Sequence, residues 1–87
     1  MRREDVERRL RTRVREISGA HEREIVPAAR FSDHLAMDSL DRIELLMTVE
    51  DEFGVEIDEE EAARIPTFGA ALEWICRALE EAEREAK

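Results

Sequence analysis

Apolar residues recur with the period of a helix in three segments of the chain, and cap and stop residues mark a fourth, shorter helix. Val6, Leu10, Val14 and Ile17 fall at i, i+4, i+8 and i+11, a single stripe that predicts a helix over about residues 3–18. Gly19 supplies its C-terminal stop. Glu4–Arg8, Asp5–Arg9 and Glu7–Arg11 put the acid four residues before the base, the favourable order for intrahelical pairs. A second helix is predicted from Ser39 to Phe53, capped by Asp38 with Asp41 at the capping-box position and stopped by Gly54. Val55-Glu56-Ile57 is a short extended connector. Asp58 caps a third, short helix of about residues 59–65, with Glu61 at the capping-box position and Pro66 ending it. Thr67 caps a last helix of about residues 68–84, whose core stripe is Phe68, Leu72, Ile75 and Leu79. Trp74 lies off that stripe, where it is expected to cover an edge of the core. No segment alternates as a strand does. The predicted fold is all-α: a small four-helix bundle of three longer helices and one short one.

Residues 20–38 read as one long connection interrupted by Pro27, with Ile25, Val26, Phe31 and Leu35 as apolar anchors and a short turn of helix near Ser32 to Leu35. A connection of this length inside a small domain is uncommon and often carries function.

The second helix carries more apolar surface than a thin bundle needs. Leu45, Val49 and Phe53 form one stripe, while Leu40, Ile43 and Met47 form another on a different face. The second stripe lies among Asp41, Glu44, Glu50 and Asp51, an apolar strip rimmed by acids that fits a partner surface.

Length and charge narrow the function classes. With 87 residues the chain makes one small domain, expected over 1–87, that buries roughly 60–65% of its unfolded surface. That leaves little room for a deep enzyme cleft. The chain begins with Met and ends in a charged helix, as either a discrete protein or an excised module would. The formal net charge of −9 disfavours binding to nucleic acid, which rests on neutralising phosphates with Lys and Arg. The charge is uneven: residues 1–17 hold seven Arg against four acids, whereas residues 33–61 hold twelve acids and only Arg42. No apolar run approaches the roughly 18 residues a membrane span requires, and no apolar run follows the Arg-rich N-terminus, so neither a membrane helix nor a secretory signal is expected. The expected compartment is the cytoplasm. Cys76 is the only cysteine, which excludes an internal disulfide, and it is expected to pack as a small apolar residue. His21 and His34 lack the spacing of a metal pair. A calcium loop with Gly54 at its sixth position would have Val49 and Phe53 where oxygen ligands belong, so no metal site is expected.

Attention falls on Asp38-Ser39-Leu40, where the long connection meets a helix. Ser39 sits in the first turn, where unpaired N–H groups and the helix dipole tolerate a phosphate ester. From the residues alone Ser39 also reads as a capping serine with no chemistry. No general base lies near it in sequence, which disfavours a small hydrolase.

The stretch FSDHLAMDSLDRIELLMTVEDEFGVEID, residues 31–58, resembles an acyl carrier protein. The similarity continues through Ala62, Ile65, Thr67 and the Phe68–Ile75 segment; it rests on D-S-L at a helix start, L-x-x-x-V-E-x-E-F and G-V-E-I, and the first helix matches only in pattern. The resemblance implies a carrier rather than an enzyme, with 4′-phosphopantetheine attached to Ser39 by a phosphopantetheinyl transferase that uses coenzyme A and magnesium. The arm would hold acyl intermediates as thioesters for fatty-acid, polyketide or related lipid synthesis, raising their effective concentration at successive enzymes. Leu45, Leu46, Val49, Phe53, Ile57 and Ile65 would line a cavity for the acyl chain. Asp38, Leu40, Asp41, Ile43, Glu44, Met47, Glu50 and Asp51 would meet basic docking patches on ketosynthases and acyltransferases, with the carrier acting as a monomer. Three departures point to a specialised carrier: Ala36-Met37 stands where the family often has Gly, His34 where an acid is common, and the first helix is rich in Arg, assigned here to intrahelical pairs and solubility. Rival readings are an aminoacyl or peptidyl carrier on the same fold and a helical adaptor without an arm.

Overall fold

The computed structural model describes residues 1–85; the last two positions of the expected 1–87 domain lie outside the described residues. Four α-helices form: α1 (Arg3–Ser18), α2 (Ser39–Phe53), α3 (Glu59–Ala63) and α4 (Phe68–Glu85). Three are long and one is short, and α1 packs against both α2 and α4. The described chain measures 40 × 26 × 19 Å.

The stripes of α1 and α4 and the first stripe of α2 become buried faces. Val6, Leu10 and Val14 meet Leu45, Val49 and Phe53 of α2 and Phe68, Leu72 and Ile75 of α4, while Ile17 and Leu79 close the ends half-buried. Fully burying such a side chain contributes about 1.5–3 kcal/mol. The helix ends follow from local chemistry. Gly19 and Gly54 adopt φ of 74° and 66°, and their N–H groups donate to Arg15 and Glu50 carbonyls at 2.8 and 2.9 Å. The third helix stops at Ala63, two residues short of the predicted Ile65. Arg64 and Ile65 donate to the carbonyls three residues back, at 3.0 and 3.1 Å, so the chain tightens before Pro66 instead of continuing the α-helix.

The arginines of α1 do more than the expected intrahelical pairing. Of the three predicted pairs only Glu7–Arg11 forms, at 3.2 Å. Arg8 turns back to Asp5 at 2.9 Å, and Arg9 leaves the helix for Glu52 of α2 at 3.4 Å. Arg13 joins the same carboxylate at 2.7 Å, and Arg3 reaches Glu73 of α4 at 3.1 Å. Glu52 is shielded from solvent, so two guanidiniums converging on it gain more than exposed pairs within one helix. Glu73 and Glu52 raise the pKa of Arg3 and Arg13 respectively, through their hydrogen bonds. Arg11 donates to the carbonyls of Glu22 and Ile25 and lies 5.2 Å over the Phe68 ring, joining α1, the long connection and α4.

The long connection is an ordered strap. A 3-10 turn covers Glu22–Glu24; the helical turn expected near Ser32 to Leu35 is instead a pair of backbone bonds from His34 and Leu35 to the Arg30 carbonyl. Ile25, Phe31 and Leu35 are buried as expected, but Val26 faces solvent and Ala29 and Met37 take inward places instead. Around Ala29–Phe31 the chain is extended, so side chains alternate between core and solvent. Here the strap forms an isolated antiparallel bridge between Arg30 and Thr67. Phe31 N donates to Pro66 O, and Phe68 N to Ala29 O, both at 3.0 Å. Gly69 N donates to Pro27 O at 2.9 Å, and the Thr67 hydroxyl accepts from Ala70 N at 3.1 Å. The opening N–H groups of α4, which no helix can satisfy internally, are thereby paired.

This close approach requires glycine. A Cβ on Gly69 would stand 2.8 Å from the Pro27 carbonyl oxygen, a backbone atom. Gly69→Ala, favourable for an isolated helix by about 1 kcal/mol, is therefore expected to destabilise the protein by about 1–3 kcal/mol through overpacking. Urea unfolding followed by circular dichroism measures the sign.

Candidate functional site

The strap delivers the chain to the start of α2. Met37 N donates to the Phe31 carbonyl at 2.9 Å and Met37 is buried, which anchors the residue before Asp38. Asp38 then caps the helix: its Oδ1 accepts from Asp41 N at 2.8 Å, and Asp41 Oδ2 accepts from Asp38 N at 3.3 Å. Ser39 is the first residue of the helix and is exposed. Ala36, two residues before the cap, has φ of +52°, a left-handed conformation that costs an L-residue about 1–2 kcal/mol. Ala36 stands near where the resemblance expects Gly, so the backbone there keeps the unusual turn with a less suitable residue.

Beside Ser39 a cavity of about 260 Å³ opens between α2, α3 and α4. Leu45, Leu46, Val49, Ile57 and Ile65 line it, as the sequence predicts. Phe53 does not: one helical turn beyond Val49, it is buried in the core at the C-terminal end of α2. Several lining residues went unpredicted. Ile43 lines the cavity as well as the outer strip, and Arg42 sits at the lip beside Ser39. Ala62 and Ala63 of α3 and Ala71 of α4 leave space that larger side chains would fill; this run of small residues at facing positions was the available signal. Trp74 lines the cavity and does cover an edge: its Nε1 donates to Glu61 Oε2 at 2.7 Å, tying α3 to α4. Glu61 therefore forms no reciprocal capping bond to Asp58, whose carboxylate still accepts from Glu61 N at 2.7 Å.

The second stripe of α2 is unburied, with Leu40 76%, Met47 60% and Ile43 47% exposed. The acids around it differ in what they already hold. Asp38 and Asp41 cap the helix, and Glu50 Oε2 accepts from Ile57 N at 3.2 Å, pinning the connector after α2. Glu44 and Asp51 point to solvent with no hydrogen-bonded partner among the described residues. His34 is engaged through Nδ1, which accepts from Arg30 N at 2.8 Å. Cys76 is half-buried outside the cavity, and that burial, opposed by Arg3, raises its thiol pKa, so the thiol is not activated. Among the described residues no group of three or more His, Cys, Asp or Glu could hold a metal ion, and no helix is long and apolar enough to cross a membrane.

Residues 8–75 match the family model described as a phosphopantetheine attachment site. The chain belongs to the acyl carrier protein family. Among solved structures it is similar to the acyl carrier protein from Enterococcus faecalis, with 31% identity and a TM-score of 0.78 over 90% of this chain and 99% of that one. Acyl carrier proteins are carriers and not enzymes; they bear 4′-phosphopantetheine and work with a phosphopantetheinyl transferase and acyl-processing enzymes. The site suits that cofactor: an exposed hydroxyl on a capped helix, next to an apolar cavity open at that end.

Two substitutions probe this architecture. Ala36→Gly relieves the positive φ but adds unfolded-state freedom, a net stabilisation of about 0.5–1 kcal/mol, read from the urea midpoint. Glu61→Ala removes the bond to the chain's single tryptophan; a red-shifted Trp74 emission and a loss of about 1 kcal/mol are expected.

Proposed function

We propose that Ser39 is the residue that carries 4′-phosphopantetheine, and that residues 1–87 act as one cytoplasmic, monomeric acyl carrier domain serving fatty-acid, polyketide or related lipid synthesis. The observation that carries this reading is an exposed serine hydroxyl at the first residue of a capped helix, on the lip of an apolar cavity. Ser39 Oγ loses its proton and takes the phosphoryl end of the arm from coenzyme A, whose adenosine bisphosphate portion leaves. A separate transferase supplies the catalysis. The thiol of the arm then holds the acyl group as a thioester. The apolar walls of the 260 Å³ cavity, Leu45, Leu46, Val49, Ile57 and Ile65, shelter the acyl chain.

Intact mass after incubation with coenzyme A and a broad-range phosphopantetheinyl transferase tests the attachment. Wild type should gain one pantetheinyl mass and Ser39→Ala none. No gain in wild type would favour an adaptor without an arm, and a gain retained in Ser39→Ala would move the site elsewhere. Loading the holo-protein with acyl and aminoacyl donors separates an acyl carrier from an aminoacyl carrier.

The docking reading follows from the exposed strip of Leu40, Ile43 and Met47 with its acids. Asp38, Asp41 and Glu50 face partners while also holding backbone, so their replacement would confound docking with stability. Glu44 and Asp51 are free of that second task. The double substitution Glu44→Lys, Asp51→Lys is expected to slow modification by the transferase about tenfold at low salt, with the difference shrinking as salt rises. Unchanged rates at low salt would remove these two acids from the docking surface.

A further inference from the structure

Arg42 is the only basic residue in a stretch of twelve acids between Asp33 and Glu61. It is half-buried, three residues beyond Ser39 on α2, and the two residues line the same cavity. Residues three apart share a helix face, and helical side chains lean toward the N-terminus, so the Arg42 stem lies over the turn that begins with Ser39. Its natural helical partner would be Asp38, four residues earlier and in the favourable order. Asp38 is committed to Asp41 N at 2.8 Å. Glu59 faces the cavity from α3, yet among the described residues Arg42 forms no ion pair with it or with any other acid. A half-buried guanidinium surrounded by carboxylates but paired with none is a charge placed for something else.

We propose that Arg42 is a positioning residue for the arm: its guanidinium takes the phosphodiester that forms on Ser39 and holds the root of the arm at the cavity lip. The inference rests on the reading of Ser39 given above. The chemistry favours it on two counts. A phosphodiester is a fixed anion with two free oxygens, which a planar guanidinium matches by two parallel hydrogen bonds. A phosphate introduced at Ser39 is favoured by the start of α2 but repelled by Asp38, Asp41 and Glu44, and Arg42 is the one cationic side chain within a helical turn of Ser39 in sequence. With its root held there, the arm turns its acyl end toward the apolar walls, whereas a free root lets it swing into solvent.

The test compares apo- and holo-protein labelled with nitrogen-15, the arm's presence being established by intact mass. The Arg42 Nε–H resonance is assigned by its loss in Arg42→Gln, whose fold is checked by circular dichroism. On attachment that resonance is expected to shift, and the phosphorus-31 signal of the wild-type holo-protein to differ from that of Arg42→Gln. Arg42→Lys should restore only part of the difference, since an ammonium is a point charge. A medium-chain thioester should be cleaved by hydroxylamine about two- to fivefold faster in Arg42→Gln, the range a partly exposed ion pair supplies. An unmoved Arg42 resonance, or identical phosphorus signals, in protein whose mass shows the arm in place overturns the proposal and leaves Ser39 intact. Failure of the arm to attach overturns both.

Discussion

The opening N–H groups of α4 must find acceptors, and carbonyls of the long connection supply them. Phe68 and Gly69 donate to Ala29 and Pro27, and Phe31 returns a bond to Pro66. This pairing turns nineteen residues with little regular structure into a fixed strap. Because the strap is held, Phe31, Leu35 and Met37 can enter the core, and Asp38 arrives at the place where it caps α2. Ser39 owes its position to backbone bonds made where the strap meets the start of α4. Gly69 is the small residue that allows the two backbones to meet.

Much of this was legible. Helical spacing marked the buried faces of α1, α2 and α4, and Asp38, Asp58, Thr67, Gly19 and Gly54 marked the ends, because caps and stops act within a few residues. The D-S-L turn and the apolar strip of α2 were legible for the same reason. What escaped depends on partners distant in sequence. The bridge between Arg30 and Thr67 joins two segments with no strand pattern, and Val26, whose carbonyl closes a turn by accepting from Ala29 N, faces outward. Glu61 was read as a capping residue, but a tryptophan thirteen residues away claims its carboxylate. Phe53 shares a stripe with two cavity residues, yet it lies too far along α2 to reach the opening. Arg42 could be seen as a lone cation; that it would lie unpaired beside Ser39 could not.

The acids of α2 show how one residue type serves several ends. Asp38 and Asp41 satisfy the helix terminus, Glu50 holds the connector, Glu52 receives two arginines from α1, and Glu44 and Asp51 stay free. Net charge alone does not distinguish these roles, since each adds one unit to the same total. Hydrogen bonds do.

The convergence of Arg9 and Arg13 on Glu52 also shapes the molecule's outer field. These cations meet α2 near its C-terminal end, thirteen residues from Ser39, or about 20 Å along the helix. One carboxylate is neutralised there, while Glu44 and Asp51, with no such partner, keep their charge facing outward beside Leu40, Ile43 and Met47. The negative field therefore leans to the exposed side of α2, and a cationic surface turns that side toward itself before the two touch.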